Sequence, residues 1–312
     1  LEDVGCEIIR VAVPDEKAAM VLDKIIADIS IPLVADIHFD HKLALLSIEK
    51  GVAALRINPG NIGSVQKVKE VVLAAKDKNI PIRIGVNAGS LEKKLLSLYE
   101  EKPAEAMVKS ALEHINILEK LNFQDVVISL KSSNVINTIE AYELLAKECD
   151  YPFHIGITEA GTTFAGTIKS SVGMGVLLYK GLGDTIRVSI TGDPIQEVLI
   201  GQEILHSLGL RKKMVEIISC PTCGRCEINL ERLANDVAKI TKNSKIPLKI
   251  AVMGCVVNGP GEARDADLGI AGGKGEGLIF QKGKIIKKVS EDNLLTAFEE
   301  LLIAYTKNHS DN

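Results

Sequence analysis

The segment PLVADIHFDHKLALLSIEKGVAALRI, residues 32–57, decides the fold because it holds two short apolar runs separated by a helix-length segment. Similar runs recur along the chain, rich in β-branched residues and followed by segments with apolar residues at helical spacing. The runs are IIRVAV (8–13), PLVADI (32–37), AALRI (53–57), PIRIGV (81–86), VVISL (126–130), FHIGI (153–157) and TIRVSI (185–190). Strands that alternate with helices predict a parallel sheet with right-handed crossovers.

These seven βα units are one fewer than the eight that close a (β/α)8 barrel of the triosephosphate isomerase (TIM) type. The chain begins with Leu1 rather than Met, and residues 1–5 are typical of a helix end closed by glycine. We therefore expect a TIM-type barrel whose first strand lies upstream of Leu1, in a chain truncated at its N-terminus. The main alternative is an open doubly wound sheet, but no Gly-x-Gly-x-x-Gly follows a strand. The long linkage 88–124 predicts one or two extra helices.

The alternating pattern ends near Arg211, and a smaller α/β domain is predicted after it. We expect the barrel to occupy residues 1–212 and the smaller domain residues 213–312. The predicted elements of the smaller domain are strands at 215–219 and 248–253, helices at 229–243 and 291–305, and a hairpin over 278–289 that turns at Lys282-Gly283-Lys284.

Composition excludes two classes of partner. The chain has 312 residues and a formal net charge of −4, and it contains no block of lysines and arginines, so we expect no nucleic-acid partner. No apolar run approaches the roughly 18–20 residues of a membrane span, so we expect no membrane partner either.

The ends of the predicted strands are unusually polar, and several strands contain a cation. In a TIM-type barrel the carboxyl ends of the strands build the active site. A single arginine in a strand is more often part of a structural ion pair with a barrel carboxylate. A set of cations at one rim instead predicts an anionic small molecule, and guanidinium groups suit phosphate oxygens. The cations are Arg10, Arg56, Arg83, Lys131 and Arg187.

Four of the six cysteines lie within 36 residues, which favours a metal or redox site over disulfide bonds. Cys220 and Cys223 follow the VEIIS strand, and Cys255 follows the LKIAVM strand. Zinc would accept three thiolates here, and so would an iron–sulfur cluster. With Cys226 as a fourth ligand, the spacing predicts an all-cysteine [4Fe–4S] site. Buried small thiols without a ligand are the remaining alternative.

Nine segments together resemble the 4-hydroxy-3-methylbut-2-en-1-yl diphosphate synthase family, over nearly the whole chain. They are EIIRVAVPD, PLVADIHFD, ALRINPGNIG, IRIGVNAGSLE, ISLKSS, HIGITEAG, RVSITGDP, SCPTCGR and GCVVNGPGEARDADLGIAGG. The resemblance implies reductive ring opening of 2-C-methyl-D-erythritol 2,4-cyclodiphosphate and loss of its 3-hydroxyl, which gives (E)-4-hydroxy-3-methylbut-2-enyl diphosphate. It also implies two electrons from ferredoxin or flavodoxin, and a homodimer in which the cluster domain of one subunit closes the barrel of the other.

The resemblance further implies which residues form the site. Its [4Fe–4S] cluster would have the ligands Cys220, Cys223, Cys255 and Glu262. A carboxylate binds a soft cluster site more weakly than a thiolate does, so Glu262 would be the exchangeable and catalytic ligand. Glu159 and His154 would lie near the reacting centre, with Glu159 the candidate acid or base. The implied substrate-binding residues are Arg10, Asp36, His38, Arg56, Arg83, Asn87, Lys131 and Ser189.

The chain departs from the family pattern in three ways. The initial strand that ends in Gln-Ser-Met is absent, and so is the long extra domain of some relatives, which indicates the short two-domain form. Cys226 stands where many relatives have another residue, so it competes with Glu262 as the fourth ligand. The alternative functions are a zinc-dependent barrel hydrolase acting on a phosphorylated small molecule and a non-catalytic iron–sulfur carrier. We expect a bacterial cytoplasmic location, with a plastid as the alternative.

Overall fold

The structure is a computed structural model that describes residues 1–242, 244, 246–256 and 263–309. The chain divides into two compact units, Leu1–Arg211 and Lys212–Asn312. Among the described residues, no helix combines the length and the apolar character needed to cross a membrane.

The first unit contains a strand at each of the seven predicted positions. The first five form one parallel sheet in chain order, and the last two pair in parallel with each other. A parallel bridge between Ile128 and Phe153 connects the two groups. The strands are β1 (Ile9–Ala12), β2 (Leu33–Asp36), β3 (Ala54–Ile57), β4 (Ile82–Asn87), β5 (Val126–Lys131), β6 (His154–Ile155) and β7 (Thr185–Ile186).

The strands of the first unit are followed by helices, as the apolar spacing predicts. The helices are α1 (Glu16–Met20), α2 (Leu22–Asp28), α3 (His41–Glu49), α4 (Pro59–Ile62), α5 (Val65–Asp77), α6 (Leu96–Glu101), α7 (Pro103–Glu119), α8 (Val135–Leu145), α9 (Thr163–Tyr179) and α10 (Pro194–Ser207). Helices α6 and α7 confirm the prediction of extra helices within 88–124. A helical turn at Glu2–Val4 is closed by Gly5 in the left-handed conformation, also as predicted.

The two ends of the first unit lie together. The Gln202 side chain on α10 donates hydrogen bonds to the carbonyl oxygens of Val4 and Gly5, at 2.9 and 3.2 Å. Arg211 forms an ion pair with Glu7. Seven parallel strands in chain order, with the segment before β1 held against α10, agree with the predicted TIM-type barrel.

Short polar side chains begin several helices directly after the strands. Asp40, Asn58, Asn134 and Asp193 each accept a backbone hydrogen bond in the first turn of α3, α4, α8 and α10. Such caps satisfy amide groups that a helix leaves unpaired at its start. They fix the chain directly after the carboxyl ends of the strands, where the polar residues cluster.

The second unit has five strands, β8 (Val215–Ser219), β9 (Leu248–Met253), β10 (Leu268–Gly272), β11 (Glu276–Gln281) and β12 (Lys284–Ser290). They form a mixed sheet in the order β12-β11-β10-β9-β8. Lys282 and Gly283 turn the β11–β12 hairpin with positive φ angles, as predicted. One apolar core of this unit contains Val237, Ile250, Ile270 and Phe298. The helices of this unit are α11 (Leu230–Thr241) and α12 (Leu294–His309).

Candidate active site

Asp36, at the end of β2, is the centre of an ion-pair network inside the first unit. Its carboxylate lies 2.7 Å from Arg10 Nη1 and 3.0 Å from Arg56 Nη1. His38 Nε2 lies 3.6 Å from the same carboxylate, and its side chain is half exposed. Asp36 and Arg56 are both buried. For Arg10 and Arg56 the structure therefore supplies the carboxylate pairing that was the simpler alternative, and their role in substrate binding stays a prediction.

Gly85 allows Arg56 to lie flat against β4. The Arg56 Nη2 group donates a hydrogen bond to the Gly85 carbonyl at 3.3 Å. A Cβ atom on residue 85 would stand 2.2 Å from Arg56 Nε, well inside the contact distance of two heavy atoms. Any larger residue at this position would displace the guanidinium group.

Three further cations, on β4, β5 and just after β7, complete what we call the cationic cluster. It consists of Arg10, Arg56, Arg83, Lys131 and Arg187, of which Arg10 and Arg56 pair with Asp36. Burial, and after it the charge of the neighbouring Arg10, lower the pKa of Arg83 to about 10. Burial also lowers the pKa of Lys131, and Arg187 and Arg83 act in the same direction. So many like charges around one carboxylate repel each other, and a bound anion would relieve this repulsion.

Two buried nitrogen atoms, one in the cationic cluster and one beside it, have no protein partner among the described residues. They are Arg83 Nε and His154 Nε2. The other ring nitrogen of His154, Nδ1, lies 2.9 Å from Thr185 Oγ1 on β7. Burial lowers the pKa of His154 well below its usual range, and Lys131 is the next cause. His154 is therefore neutral at pH 7, and its Nε2 is available to a ligand.

The other barrel residues implied by the resemblance follow the ends of the strands. Asn87 ends β4 and is the register neighbour of Lys131. Ser189 lies half-buried after β7. Glu159 lies exposed in the loop after β6, with a φ of 50° that non-glycine residues rarely adopt. Such strained positions are frequent at functional sites.

The residues implied by the family resemblance do not include Arg187 and Asn58, which directly follow β7 and β3. Arg187 belonged to the cations predicted from the strands, and its charge acts on Arg10, Arg83, Lys131 and His154. Asn58 follows β3, is 5% exposed and accepts a hydrogen bond from the Gly60 amide at 3.0 Å. Its place directly after a strand was the available signal.

In the second unit, the cysteine loop (residues 220–229) connects β8 to α11. Cys220 Sγ accepts a hydrogen bond from the Gly254 amide at 3.2 Å, directly before Cys255. Cys223 is exposed, and hydrogen bonds from the Arg225 backbone and side chain lower its pKa. Amide donors to sulfur and lowered thiol pKa values both favour thiolate, the form that binds iron or zinc. The donor set therefore suits a thiolate-bound cluster.

Cys226 points into the packing of the second unit. Its thiol donates to the Ile228 carbonyl at 3.3 Å, and its side chain packs against the apolar core. A Cβ atom on residue 254 would stand 2.7 Å from Cys226 Sγ, so Gly254 accommodates this thiol. This contact gives Cys226 a structural role that the cysteine spacing alone did not reveal.

Among the residues that the structure describes, the predicted ligands Cys220, Cys223 and Cys255 do not form a metal site. Over residues 1–242, 244, 246–256 and 263–309, no three His, Cys, Asp or Glu side chains are arranged to hold a metal ion. All six cysteines are free. Cys255 lies half-buried after β9, and the predicted ligand Glu262 lies outside the described residues.

Comparisons with known proteins agree with these two units. Residues 1–202 match the GcpE TIM-barrel domain, and residues 216–304 match the GcpE protein C-terminal domain. Three similar relatives bear the name 4-hydroxy-3-methylbut-2-en-1-yl diphosphate synthase (flavodoxin). The Clostridium acetobutylicum protein is 61% identical over 295 residues, which are 95% of this chain and 84% of the relative.

The other two relatives cover as much of the chain. The protein of Caldanaerobacter subterraneus subsp. tengcongensis is 62% identical, covering 97% of this chain and 84% of the relative. The Bacillus subtilis protein is 55% identical, covering 99% and 82%. The name they share is that of a synthase and lends no support to a zinc-dependent hydrolase. The chain belongs to the family of 4-hydroxy-3-methylbut-2-en-1-yl diphosphate synthases.

Proposed function

We propose that this chain opens the ring of 2-C-methyl-D-erythritol 2,4-cyclodiphosphate by reduction, as an oxidoreductase of isoprenoid biosynthesis. Two electrons form the C2–C3 double bond of the product. The bond between C2 and the bridging phosphate oxygen breaks, and that oxygen becomes a phosphate oxyanion. The 3-hydroxyl leaves as water after taking up one proton. The observation that carries the proposal is the cationic cluster, in which five cations lie close together and two of them pair with Asp36, because it suits a diphosphate anion.

The cationic cluster would bind the diphosphate and stabilise the oxyanion that forms when the ring opens. Arg56 and Arg10 are held by Asp36 before the substrate arrives, so little reorganisation is needed in the transition state. A negative carboxylate repels phosphate, so the main role of Asp36 would be to orient the two arginines. Arg83 Nε and the Lys131 and Arg187 side chains would supply further donors to phosphate oxygens.

His154 and Glu159 would act at the carbon skeleton and the departing hydroxyl. His154 is neutral, so its Nε2 can donate or accept a hydrogen bond at the substrate without adding a positive charge. Thr185 orients the ring through Nδ1. Glu159 is the candidate donor of the proton that the leaving hydroxyl takes up. Asn87, Ser189 and His38 would contact the substrate from the surrounding strand ends.

A [4Fe–4S] cluster held by Cys220, Cys223, Cys255 and Glu262 would supply the two electrons when bound. The hydrogen bond from the Gly254 amide to Cys220 and the lowered pKa of Cys223 support this thiolate set. Cys226 would pack against Gly254 and Ile228 instead of binding iron.

An external redox protein would reduce the cluster, and we propose flavodoxin, with ferredoxin as the alternative donor. The names of the relatives support a flavodoxin. We also propose a homodimer in which the cluster domain of one subunit closes the barrel of the other, as the family resemblance implies. A bacterial cytoplasmic location agrees with the bacterial origin of the relatives.

Turnover of the cyclodiphosphate by anaerobically prepared protein with a chemical reductant tests the proposal. We expect formation of the linear diphosphate, with about four iron and four sulfide per chain in the active protein. One zinc per chain, no sulfide and hydrolysis of a phosphate ester would contradict the proposal and support the hydrolase. A protein that holds the cluster and passes electrons without converting the cyclodiphosphate would instead indicate a carrier.

A further inference from the structure

Tyr142 on α8 occupies an unusual position between the neighbouring strands β5 and β6. Its hydroxyl accepts a hydrogen bond from the Leu130 amide at 2.9 Å and donates one to the His154 carbonyl at 2.7 Å. The side chain is fully buried, and its ring packs on Phe153 with centroids 5.3 Å apart. A buried tyrosine hydroxyl usually has a hydrogen-bond partner, but here it has one on each of two strands.

The hydroxyl takes the place of one hydrogen bond of the parallel ladder. On one side of it, the Ile128 amide donates to the Pro152 carbonyl at 2.9 Å. In a parallel ladder the next bond runs from the residue two positions on, so Leu130 would donate to His154. The register is kept beyond this point, where the Thr158 amide donates to the Ser132 carbonyl at 3.4 Å. Tyr142 therefore separates the strands locally without shifting their register.

The separated level carries two residues of the candidate active site. Lys131 follows Leu130, and His154 provides the carbonyl that Tyr142 holds. Because successive residues of a strand face opposite sides, Lys131 and His154 lie on the opposite face from Leu130 and Ile155. Leu130 and Ile155 are fully buried in the main apolar core. Lys131 and His154 thus face the barrel interior with the rest of the cationic cluster.

We propose that Tyr142 is a positioning residue: by holding β5 and β6 apart, it sets the positions of Lys131 and His154 for the cyclic diphosphate. This inference rests on the proposed function. His154 is then fixed from both sides, by Tyr142 through its carbonyl and by Thr185 through its ring. Removal of the hydroxyl allows Leu130 and His154 to form the direct ladder bond, which pulls the strands together and moves both side chains.

The test is the affinity of the cluster-loaded, unreduced enzyme for the cyclodiphosphate, measured by calorimetry. It compares the wild type, Y142F, K131A and the double variant. Y142F should weaken binding at least about tenfold, since a displacement near 1 Å is costly in a preorganised site. In the K131A background the same change should cost clearly less than in the wild type, because the part of the loss that acts through Lys131 is already gone and only the part through His154 remains. Y151F is the matched control, because the Tyr151 hydroxyl bonds Glu119 at an exposed position.

Two results would overturn the proposal, and they differ in what they say of the site. If K131A weakens binding but Y142F costs the same factor in both backgrounds, or nothing, Tyr142 does not act through Lys131 and the site itself stands. If K131A binds the cyclodiphosphate like the wild type, Lys131 does not contribute to binding, and the proposal for Tyr142 fails as well. Thermal unfolding of each variant identifies a folding defect.

If Y142F does not fold, F153L gives the same test. It removes the ring that supports Tyr142 and keeps the hydroxyl. We expect a loss of at least about threefold that is clearly smaller in the K131A background, where only the part through His154 remains. Equal losses in the two backgrounds, or none, would overturn the proposal.

Discussion

The cationic cluster of the first unit and the cysteine loop of the second differ in how their side chains are held. In the cationic cluster, Asp36 pairs with Arg10 and Arg56, and Arg56 also packs against Gly85. Beside the cluster, Thr185 contacts the His154 ring. These residues lie on or next to strands. The cysteines lie on connecting segments after β8 and β9, and Cys223 is exposed.

This difference indicates that the protein alone builds the cationic cluster, whereas the cysteine loop would depend on the metal group that we propose for it. A site held by internal ion pairs exists before the substrate binds, which reduces the cost of binding. A set of thiols on loops is usually ordered by the metal group it binds, because metal binding and local folding are coupled. Four predictions test whether the cationic cluster and the cysteine loop differ in this way.

We expect the largest effect from Cys223→Ala and a much smaller one from Cys226→Ala, in the same loop. Cys223→Ala should remove the cluster and reduce turnover to background, because an exposed thiol favoured as thiolate is lost. Cys226→Ala should keep iron, sulfide and most of the turnover, and should lower the free energy of unfolding by about 1–2 kcal/mol through lost packing. Iron and sulfide analysis and turnover assays test this. The reverse outcome would make Cys226 the ligand.

Replacing Arg56 should weaken substrate binding by about 10²–10³-fold, because truncation of a buried charged pair costs about 2–5 kcal/mol. Arg56→Lys keeps the charge but cannot reach both Asp36 and the Gly85 carbonyl, so an intermediate loss is expected. Arg232→Ala is the matched control, since this arginine pairs with Asp236 at an exposed position. Affinity measured by calorimetry tests the series. Wild-type affinity in R56A would remove Arg56 from the site.

Gly85→Ala should reduce affinity about tenfold, because a new Cβ atom would displace the Arg56 guanidinium group. Gly89→Ala is the control, because a Cβ atom there meets no other atom within 4 Å. Equal behaviour of the two variants in the binding assay would show that close packing of Arg56 on β4 does not matter for the substrate.

The smallest effect concerns His154 and pH. Its folded-state pKa lies below the unfolded value of about 6.5, so the unfolded state takes up more protons once the pH falls below about 6.5. The contribution of His154 to stability is present above that pH and decreases as the pH falls toward the folded pKa. Thermal unfolding at pH 7.5 and 5.5 should show that His154→Gln loses less stability on acidification than the wild type, by about 1 kcal/mol. His309→Gln is the control, and equal pH dependence of all three proteins would contradict the prediction.

The sequence predicted the strands well because their signals are local. Each run of β-branched residues became a strand, and the hairpin turned at Lys282 and Gly283 as its composition indicated. The cations were also predicted, since an arginine inside an apolar run is conspicuous. Their arrangement was not, because the pairing of Asp36 with Arg56 joins neighbouring strands and depends on register.

Other features of the site could not be predicted from local patterns. The Tyr142 hydroxyl reaches between β5 and β6 from the helix that follows β5, and the sequences of the two strands carry no signal for its hydrogen bonds. The cysteine spacing suggested Cys226 as a fourth ligand, whereas its packing against Gly254 depends on the approach of two loops. The ligand role of Glu262 came from the family resemblance alone and stays a prediction.

The most direct test of the central claim is the binding of the cyclodiphosphate to two variants that each damage one region. We predict that Cys223→Ala protein, without its iron–sulfur cluster, still binds the cyclodiphosphate within about tenfold of the wild type, because the protein itself builds the cationic cluster. Arg56→Ala protein, which keeps its iron–sulfur cluster, should lose affinity for the cyclodiphosphate by about 10²-fold or more. Loss of binding in Cys223→Ala together with normal binding in Arg56→Ala would contradict the account.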